Sequence, residues 1–283
     1  MIRERVNCGH SSRTALISAV CGNMPRPLAT AVQPSMRTLF LTLLAAGIPL
    51  LAQAQSTCSS DGQAPSLAVY ERFINADCAT CWGQAAAHPP GPSALVLDWV
   101  VPGSAGDDAP LSAVASTDAQ TRLGTLQRLV PMGSDTHIAA VVAGGARASR
   151  PARLRVAHGL PFNDYLGTLI AFTPAAATHG RAPSSSSPSL PSSSGPWNFY
   201  LLLVESVPAG SEGTPVDRHL VRNVFTGTWG QEAPGRKRVQ RAWQEARPAR
   251  IPDGARVDRL RMVGWVQDAQ GNVVAATQSD CRQ

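Results

Sequence analysis

Two cysteines separated by two residues are the strongest chemical signal in the chain. Cys78 and Cys81 enclose Ala79 and Thr80 in a Cys-x-x-Cys motif. This spacing lets the second cysteine close a disulfide with the first, and free N–H groups at a helix N-terminus lower a thiol pKa. The motif predicts thiol–disulfide exchange, with Cys78 attacking and Cys81 resolving. A structural disulfide is the alternative, because the carboxylate of Asp77 raises a neighbouring thiol pKa.

The surroundings of the pair disfavour other cysteine chemistry. A structural zinc site needs four ligands, and no second Cys pair or close His pair accompanies these two. Covalent haem attachment needs His after the second cysteine, where Trp82 stands. The sequence has no G-x-S-x-G, no phosphate-binding Gly loop and no His-Glu-x-x-His. We therefore predict no metal and no cofactor.

The elements around the pair are predicted to be a strand and a helix. Leu67–Phe73 has the β-branched and aromatic content of a strand. Cys78–Ala87 is Ala-rich and predicts two or three helical turns, with Asp77 as N-cap and a stop at Pro89-Pro90. This order places Cys78 at a helix N-terminus that follows a strand, which is the context that reactive Cys-x-x-Cys motifs require.

The next segments continue the alternation of strands and helices. Ala94–Val101 is a continuous apolar run typical of a strand buried on both faces. Thr117–Val130 has leucines at helical spacing and ends at Pro131, and His137–Ala143 is another apolar strand. Strand, helix, strand, helix, strand predicts an α/β unit with parallel neighbours.

After residue 150 the pattern changes to strands separated by turns. A Ser/Pro-rich segment at 183–196 has almost nothing to bury and predicts a flexible, disordered loop. Asp268-Ala269-Gln270-Gly271 is a good hairpin turn signal between the last two strands. We predict a mostly antiparallel β domain over residues 151–283. Its strands are expected at Arg153–Ala157, Leu166–Phe172, Trp197–Val207, Arg218–Thr228, Arg259–Gln267 and Asn272–Thr277.

Three short motifs carry a resemblance to a known family. They are Glu71-Arg72-Phe73, the Cys78 to Cys81 motif, and Leu97-Asp98-Trp99 at the end of the second strand. In these the chain resembles the thioredoxin superfamily, and most of all a group of secreted bacterial thioredoxin-like proteins of unknown function. The resemblance implies an α/β thioredoxin-like domain over residues 55–150, followed by a sandwich-like β domain that includes the closing segment Val263–Ala276.

The resemblance also implies two further site residues. Glu71 stands near the position of a buried carboxylate that helps to move the proton of the second cysteine, although it could instead point to solvent from an edge strand. Pro131 would be the cis-proline that faces the disulfide. The partners implied are thiol or disulfide proteins of the cell envelope. The alternative function is that of a non-catalytic envelope binding or structural protein.

The N-terminal region predicts export. Arg37 is followed by an apolar stretch of about 14 residues and then by Ala52-Gln53-Ala54, the pattern of a signal peptide over residues 36–54. Residues 1–35 are interpreted as an upstream leader. A membrane span is the alternative, but it needs about 20 apolar residues. We predict a periplasmic or secreted protein with no stable membrane span.

Removal of residues 1–54 changes both the charge and the cysteine count. The formal net charge of the whole chain is +6, but five arginines and one glutamate are lost, so 20 basic residues remain against 18 acidic ones. A nucleic acid partner is therefore not expected, and the basic cluster from Arg236 to Arg250 is predicted to be a solvated loop or short helix.

The remaining cysteines are Cys58, Cys78, Cys81 and Cys281. An even number suits an oxidising compartment and allows three connectivities. A bridge between Cys58 and Cys281 would stabilise the fold by a few kcal/mol. A bridge from Cys58 to a central cysteine would remove the redox function.

Overall fold

Strands make up most of the regular structure in the computed structural model, which describes residues 58–86, 90–142, 148–177, 196–230 and 242–281. Two short α-helices accompany them in these ranges, α1 (Ala79–Gly83) and α2 (Thr117–Thr125). The strands are β1 (Cys58–Ser59), β2 (Ala68–Asn75), β3 (Ala94–Val101), β4 (Ser134–Ala140), β5 (Ala148–Arg150), β6 (Arg153–Phe162), β7 (Tyr165–Thr173), β8 (Ala176–Ala177), β9 (Trp197–Val207), β10 (Arg218–Trp229), β11 (Trp243–Arg250), β12 (Leu260–Gln267), β13 (Val273–Gln278) and β14 (Asp280–Cys281).

The larger sheet contains seven strands in the order β13-β12-β9-β10-β3-β2-β4. Strands β2 and β3 are parallel, and so are β3 and β10, whereas the other pairs are antiparallel. The two outer strands meet at one end, because the N–H of Val142 donates to the carbonyl of Val273 (2.7 Å) and the N–H of Ser66 donates to the carbonyl of Ala276 (3.0 Å). The larger sheet is therefore strongly curved.

A five-stranded sheet, in the order β11-β7-β6-β1-β14, covers part of one face of the larger sheet. Alternate residues of β9 (Trp197, Phe199 and Leu201) enter the core between the two sheets. The sheets approach closely at Gly264 of β12, where a Cβ would lie 2.7 Å from Cγ1 of Val156. Glycine is required there because any larger residue would push the two sheets apart.

Two further cores flank the larger sheet. On its other face, Leu123 of α2 packs with Phe73, Trp99 and Trp265. On the face that carries the five-stranded sheet, α1 covers a smaller core with residues from β2, β3, β9 and β10. The residues of this smaller core are Ile74, Ala76, Cys81, Trp82, Val100, Ala109, Val207 and Leu220.

The predicted fold class, an α/β thioredoxin-like domain followed by a separate β domain, is wrong. The protein is mostly β, and its two sheets combine strands from both sides of residue 150. Leu220 of β10 pairs in parallel with Asp98 of β3, which joins the early strands to the late ones. The helices of five and nine residues are too short to cover a sheet, so a second sheet does so.

Many element positions agree with the sequence, but two do not. The strands Ala94–Val101 and Trp197–Val207 have the predicted bounds, and the terminal hairpin forms between β12 and β13. The helix predicted over Cys78–Ala87 is one turn long. The end of the basic cluster is neither a loop nor a helix, because Trp243 is buried and begins β11, an edge strand that tolerates Pro248.

Several predictions concern residues outside the described ranges. These are the leader (1–35), the signal peptide (36–54), all but the last residue of the Ser/Pro-rich loop (183–196), and the early part of the basic cluster (236–241). Within the described part of the chain, neither helix has the length and hydrophobicity needed to cross a membrane.

Candidate functional site

Cys78 and Cys81 are joined in a disulfide just beyond the end of β2. Cys81 is 8% exposed and lies in the smaller core, whereas Cys78 is half-buried. The sulfur of Cys78 lies 3.5 Å from the hydroxyl oxygen of Thr80. Cys78 is therefore the more exposed cysteine of the bridge and Cys81 the protected one, and a hydroxyl group lies beside the sulfur of Cys78.

The turn that carries the cysteines is fixed by Asn75 and Asp77. The Asn75 side chain accepts a hydrogen bond from the N–H of Asp77 (2.8 Å) and donates one to the carbonyl of Pro131 (2.7 Å). Asp77 does not cap α1, because its carboxylate accepts bonds from the N–H groups of Ser104 and Ala105 and from the Ser104 hydroxyl. The hydroxyl bond lowers the pKa of Asp77.

Gly133, two residues after Pro131, lies against the disulfide. The carbonyl of Gly133 accepts a bond from the N–H of Asn75 (2.8 Å). A Cβ on Gly133 would lie 3.4 Å from the sulfur of Cys81. The backbone beside the protected sulfur is therefore held in contact with it.

A buried cluster of two arginines and one aspartate holds the other end of α1. Arg218 is completely buried, and its guanidinium donates to the carbonyls of Trp82 (3.0 Å), Gln84 (2.6 Å) and Cys81 (3.3 Å). A helix C-terminus leaves its last carbonyls short of helical donors, and Arg218 supplies donors there; the Cys81 carbonyl also accepts the N–H of Gln84 (3.4 Å). The chain turns to an extended conformation at Gln84, which ends the helix.

Asp98 is the counterion of this cluster. Its carboxylate accepts a bond from Nε of Arg72 (2.8 Å), lies 3.7 Å from Nη1 of Arg218, and accepts the N–H of His219 (2.6 Å). Burial raises the pKa of Asp98, and the charge of Arg72 opposes that rise. Two guanidinium groups and one carboxylate give the cluster a net positive charge when all three are ionised, next to the cysteine turn.

Glu71 is not brought to the cysteines. Along β2 it shares the face of Val69 and Phe73, whereas Ile74 and the cysteines occupy the opposite face. It does not point to solvent either: it is 0% exposed, β2 is an inner strand, and both carboxylate oxygens accept bonds from Arg122 (2.9 and 2.6 Å). Its structural role is to pair with the arginine that α2 inserts into the core.

Comparisons with known proteins were made for the whole chain. No family model, curated protein or solved structure matches it. The chemistry of the site therefore has to be argued from its own geometry.

Cys58 and Cys281 form the second disulfide. Of the three connectivities that the sequence allows, the structure therefore has the one in which Cys78 pairs with Cys81. This bridge joins β1 and β14 in the five-stranded sheet. His158 of β6 is adjacent, with Nε2 3.9 Å from the sulfur of Cys281.

Sequence reasoning missed the contacts of Arg72, Arg218 and Thr80 around the cysteine turn. A charged residue inside an otherwise apolar strand is a usable signal, because burial of such a residue requires a partner. Arg72 and Asp98 carry this signal in β2 and β3. The second cation beside Asp98, Arg218, is more than a hundred residues away in sequence, and only the pairing of β10 with β3 brings it near.

Proposed function

We propose that this protein is an exported thiol–disulfide exchange protein that acts through Cys78 and Cys81. The observation that carries the proposal is the asymmetry of the bridge: Cys78 is half-buried, whereas Cys81 is buried in the smaller core. Exchange requires one sulfur that a partner can reach and a second that stays protected until it resolves the mixed disulfide.

In the proposed reaction, the reduced protein begins with a thiolate on Cys78. The thiolate attacks one sulfur of a disulfide in the partner, an S–S bond forms between the two proteins, and the partner's other sulfur leaves as a thiolate that takes up a proton. Cys81 then loses its proton and attacks the sulfur of Cys78. The products are the Cys78–Cys81 disulfide and a partner with two thiols, so two electrons pass to the partner.

One feature of the site favours the thiolate and one opposes it. The Thr80 hydroxyl can donate a hydrogen bond to the sulfur of Cys78, and hydrogen bonds to a charged form favour that form. The carboxylate of Asp77 is held in its charged form by Ser104 and Ala105, and a negative charge beside Cys78 opposes the thiolate. The single-turn α1 contributes less than the longer helix that the sequence predicts.

A structural role for the same bridge is the second candidate. Cys81 and Trp82 pack in the smaller core, and Arg218 fixes the carbonyls that follow. In this case the disulfide holds the turn in place and never opens, and the protein acts in the cell envelope by binding a partner.

Reduction of the native protein separates the two functions. We would treat the oxidised protein with increasing dithiothreitol, alkylate the thiols and locate them by mass, with near-ultraviolet circular dichroism as the test of folding. Exchange predicts that Cys78 and Cys81 become alkylated while the spectrum stays native. A bridge that opens only as the protein unfolds would contradict exchange and support the structural role.

Turnover is tested with matched variants. Cys78→Ser should abolish reduction of insulin disulfides in the presence of dithiothreitol, whereas Cys58→Ser, which removes the other bridge, should retain that activity. Equal activity of the Cys78→Ser variant and the parent protein would refute the assignment. Export is a separate part of the proposal, and finding the protein in the cytoplasmic fraction after expression in a bacterium would contradict it.

A further inference from the structure

We infer that Cys58, Cys281 and His158 form a redox-gated zinc site, open to the metal only when the Cys58–Cys281 bridge is reduced. This inference does not rest on the function proposed for Cys78 and Cys81. It rests on three metal-binding side chains that the five-stranded sheet places side by side.

The strand register brings the three residues together. Strand β1 lies between β6 and β14, and Cys58 stands directly opposite His158 on one side and Cys281 on the other. Neighbouring strands are about 4.8 Å apart, so the three side chains form a row across the sheet. The two sulfurs and a ring nitrogen lie within 4.8 Å of one another.

The imidazole of His158 is oriented for binding. Its Nδ1 lies 2.9 Å from the carbonyl oxygen of Gly159. A carbonyl oxygen only accepts hydrogen bonds, so Nδ1 carries the proton and the lone pair of a neutral ring is on Nε2. Nε2 is the atom that faces Cys281, at 3.9 Å from the sulfur. When a histidine ligates zinc through one ring nitrogen, the other ring nitrogen usually donates a hydrogen bond to a group such as a backbone carbonyl, which holds the ring in position.

The distances suit a tetrahedral ion. Zinc–sulfur bonds of about 2.3 Å and zinc–nitrogen bonds of about 2.05 Å at a tetrahedral angle separate sulfur and nitrogen by about 3.6 Å. The observed 3.9 Å between Nε2 and the sulfur of Cys281 requires only a small movement. The two sulfurs, now 2.01 Å apart, would separate to about 3.8 Å.

Burial also suits a metal site. Cys58 and His158 are 5% and 6% exposed, whereas Cys281 lies at the surface. An ion bound to the three side chains would therefore be enclosed on one side and would keep its fourth position toward solvent. Three protein ligands with one open position are the arrangement found in zinc sites that bind an exchangeable ligand.

Gating follows from the chemistry of sulfur. In the disulfide neither sulfur is a thiolate, and the thiolate is the metal ligand. A dithiol reductant breaks the S–S bond, gives two electrons and two protons to Cys58 and Cys281, and is itself oxidised to a disulfide. Binding of Zn²⁺ then releases the two thiol protons. A disulfide of another molecule reoxidises the pair: it takes up the two electrons and two protons and becomes a dithiol, the Cys58–Cys281 bond forms again, and the ion is released.

Cobalt spectroscopy tests the site in the full chain. The protein carries Cys8→Ser, Cys21→Ser, Cys78→Ser and Cys81→Ser, so that Cys58 and Cys281 are its only cysteines. It is reduced with a phosphine, freed of reductant without oxygen, and titrated with Co²⁺. We expect one Co²⁺ per chain, with a thiolate-to-cobalt charge-transfer band and the visible bands of tetrahedral cobalt. Zn²⁺ should displace it, and the oxidised protein should give neither signal.

Histidine variants supply the matched control. His158→Gln should weaken cobalt binding at least tenfold, whereas His137→Gln, on β4 of the other sheet, should leave it unchanged. Circular dichroism checks that reduction leaves the fold intact. The inference is overturned if the reduced protein gives no thiolate–cobalt band, if His158→Gln binds equally well, or if reduction unfolds the protein.

Discussion

Arg218 provides a direct test of how the cysteine turn is held. The Arg218→Met substitution keeps much of the side-chain volume but removes the donors to the carbonyls of Cys81, Trp82 and Gln84. The carbonyls of Cys81 and Gln84 keep other donors, the N–H of Gln84 and Nη1 of Arg72, so the Trp82 carbonyl is the one left without a described donor. A buried acceptor without a partner costs about 1–3 kcal/mol. Asp98 stays paired with Arg72, so we expect the free energy of unfolding to fall by about 1–3 kcal/mol.

Arg222 offers a matched control in the same strand. Its side chain is 9% exposed and pairs with Glu205, with Nε 2.6 Å from the carboxylate, but it donates to none of the α1 carbonyls in the described structure. Arg222→Met should therefore also lower stability, but without loosening the cysteine turn. Urea unfolding measures both losses of stability.

The rate at which dithiothreitol reduces the Cys78–Cys81 bridge in the folded protein separates the two variants. Arg218→Met should raise this rate, because the turn no longer has its anchor at the carbonyl end. Arg222→Met should leave the rate at the value of the parent protein. A loss below about 1 kcal/mol in Arg218→Met, or an equal change of rate in both variants, would refute the role given to Arg218.

Three further predictions address other parts of the structure. Thr80→Val should raise the pKa of the Cys78 thiol in the reduced protein, as measured by thiolate absorbance, whereas Thr80→Ser should leave it unchanged. Equal pKa values in Thr80→Val and the parent protein would disprove the hydrogen bond. Gly264→Val should lower the free energy of unfolding by about 1–3 kcal/mol in a urea titration, because the valine side chain would collide with Val156. An unchanged urea midpoint would contradict the close approach of the two sheets. Burial, aided by nearby Arg261, lowers the pKa of His219 from 6.5 to about 4. Since the pKa of His219 is lower in the folded state than in the unfolded state, its contribution to stability is complete above pH 6.5 and should fall by up to about 3 kcal/mol as the pH drops toward 4. In urea titrations across this pH range, His219→Gln should show a flatter dependence of stability on pH. An equally steep profile in the variant would exclude His219 as the cause.

The positions of strands could be predicted because each strand carries its own signal. Ala94–Val101 is apolar except for Asp98 and is buried on both faces, and β9 is apolar along most of its length for the same reason. The pairing of strands has no such local signal. Nothing in the sequence of β10 indicates that Leu220 lies beside Asp98, so the fold class predicted from the early elements was wrong.

The site was predicted in part for a related reason. The pairing of Cys78 with Cys81 depends on short-range geometry that the motif indicates. The anchoring of α1 depends on Arg218, which reaches the turn only through the larger sheet. Glu71 was misjudged because a buried carboxylate and an exposed one look the same in a sequence when the partner, Arg122, comes from a distant helix.

The bridge between β1 and β14 also determines how the protein would respond to mechanical force. The first and last described residues, Cys58 and Cys281, lie side by side, with their Cα atoms 4.1 Å apart. Tension applied between these two residues would be carried by a covalent bond, and the strands between them would bear no load. Reduction of the bridge would transfer the same tension to the hydrogen bonds of two-residue strands. A pulling experiment should then show a reinforced protein in its oxidised form and one that peels open from its ends when reduced.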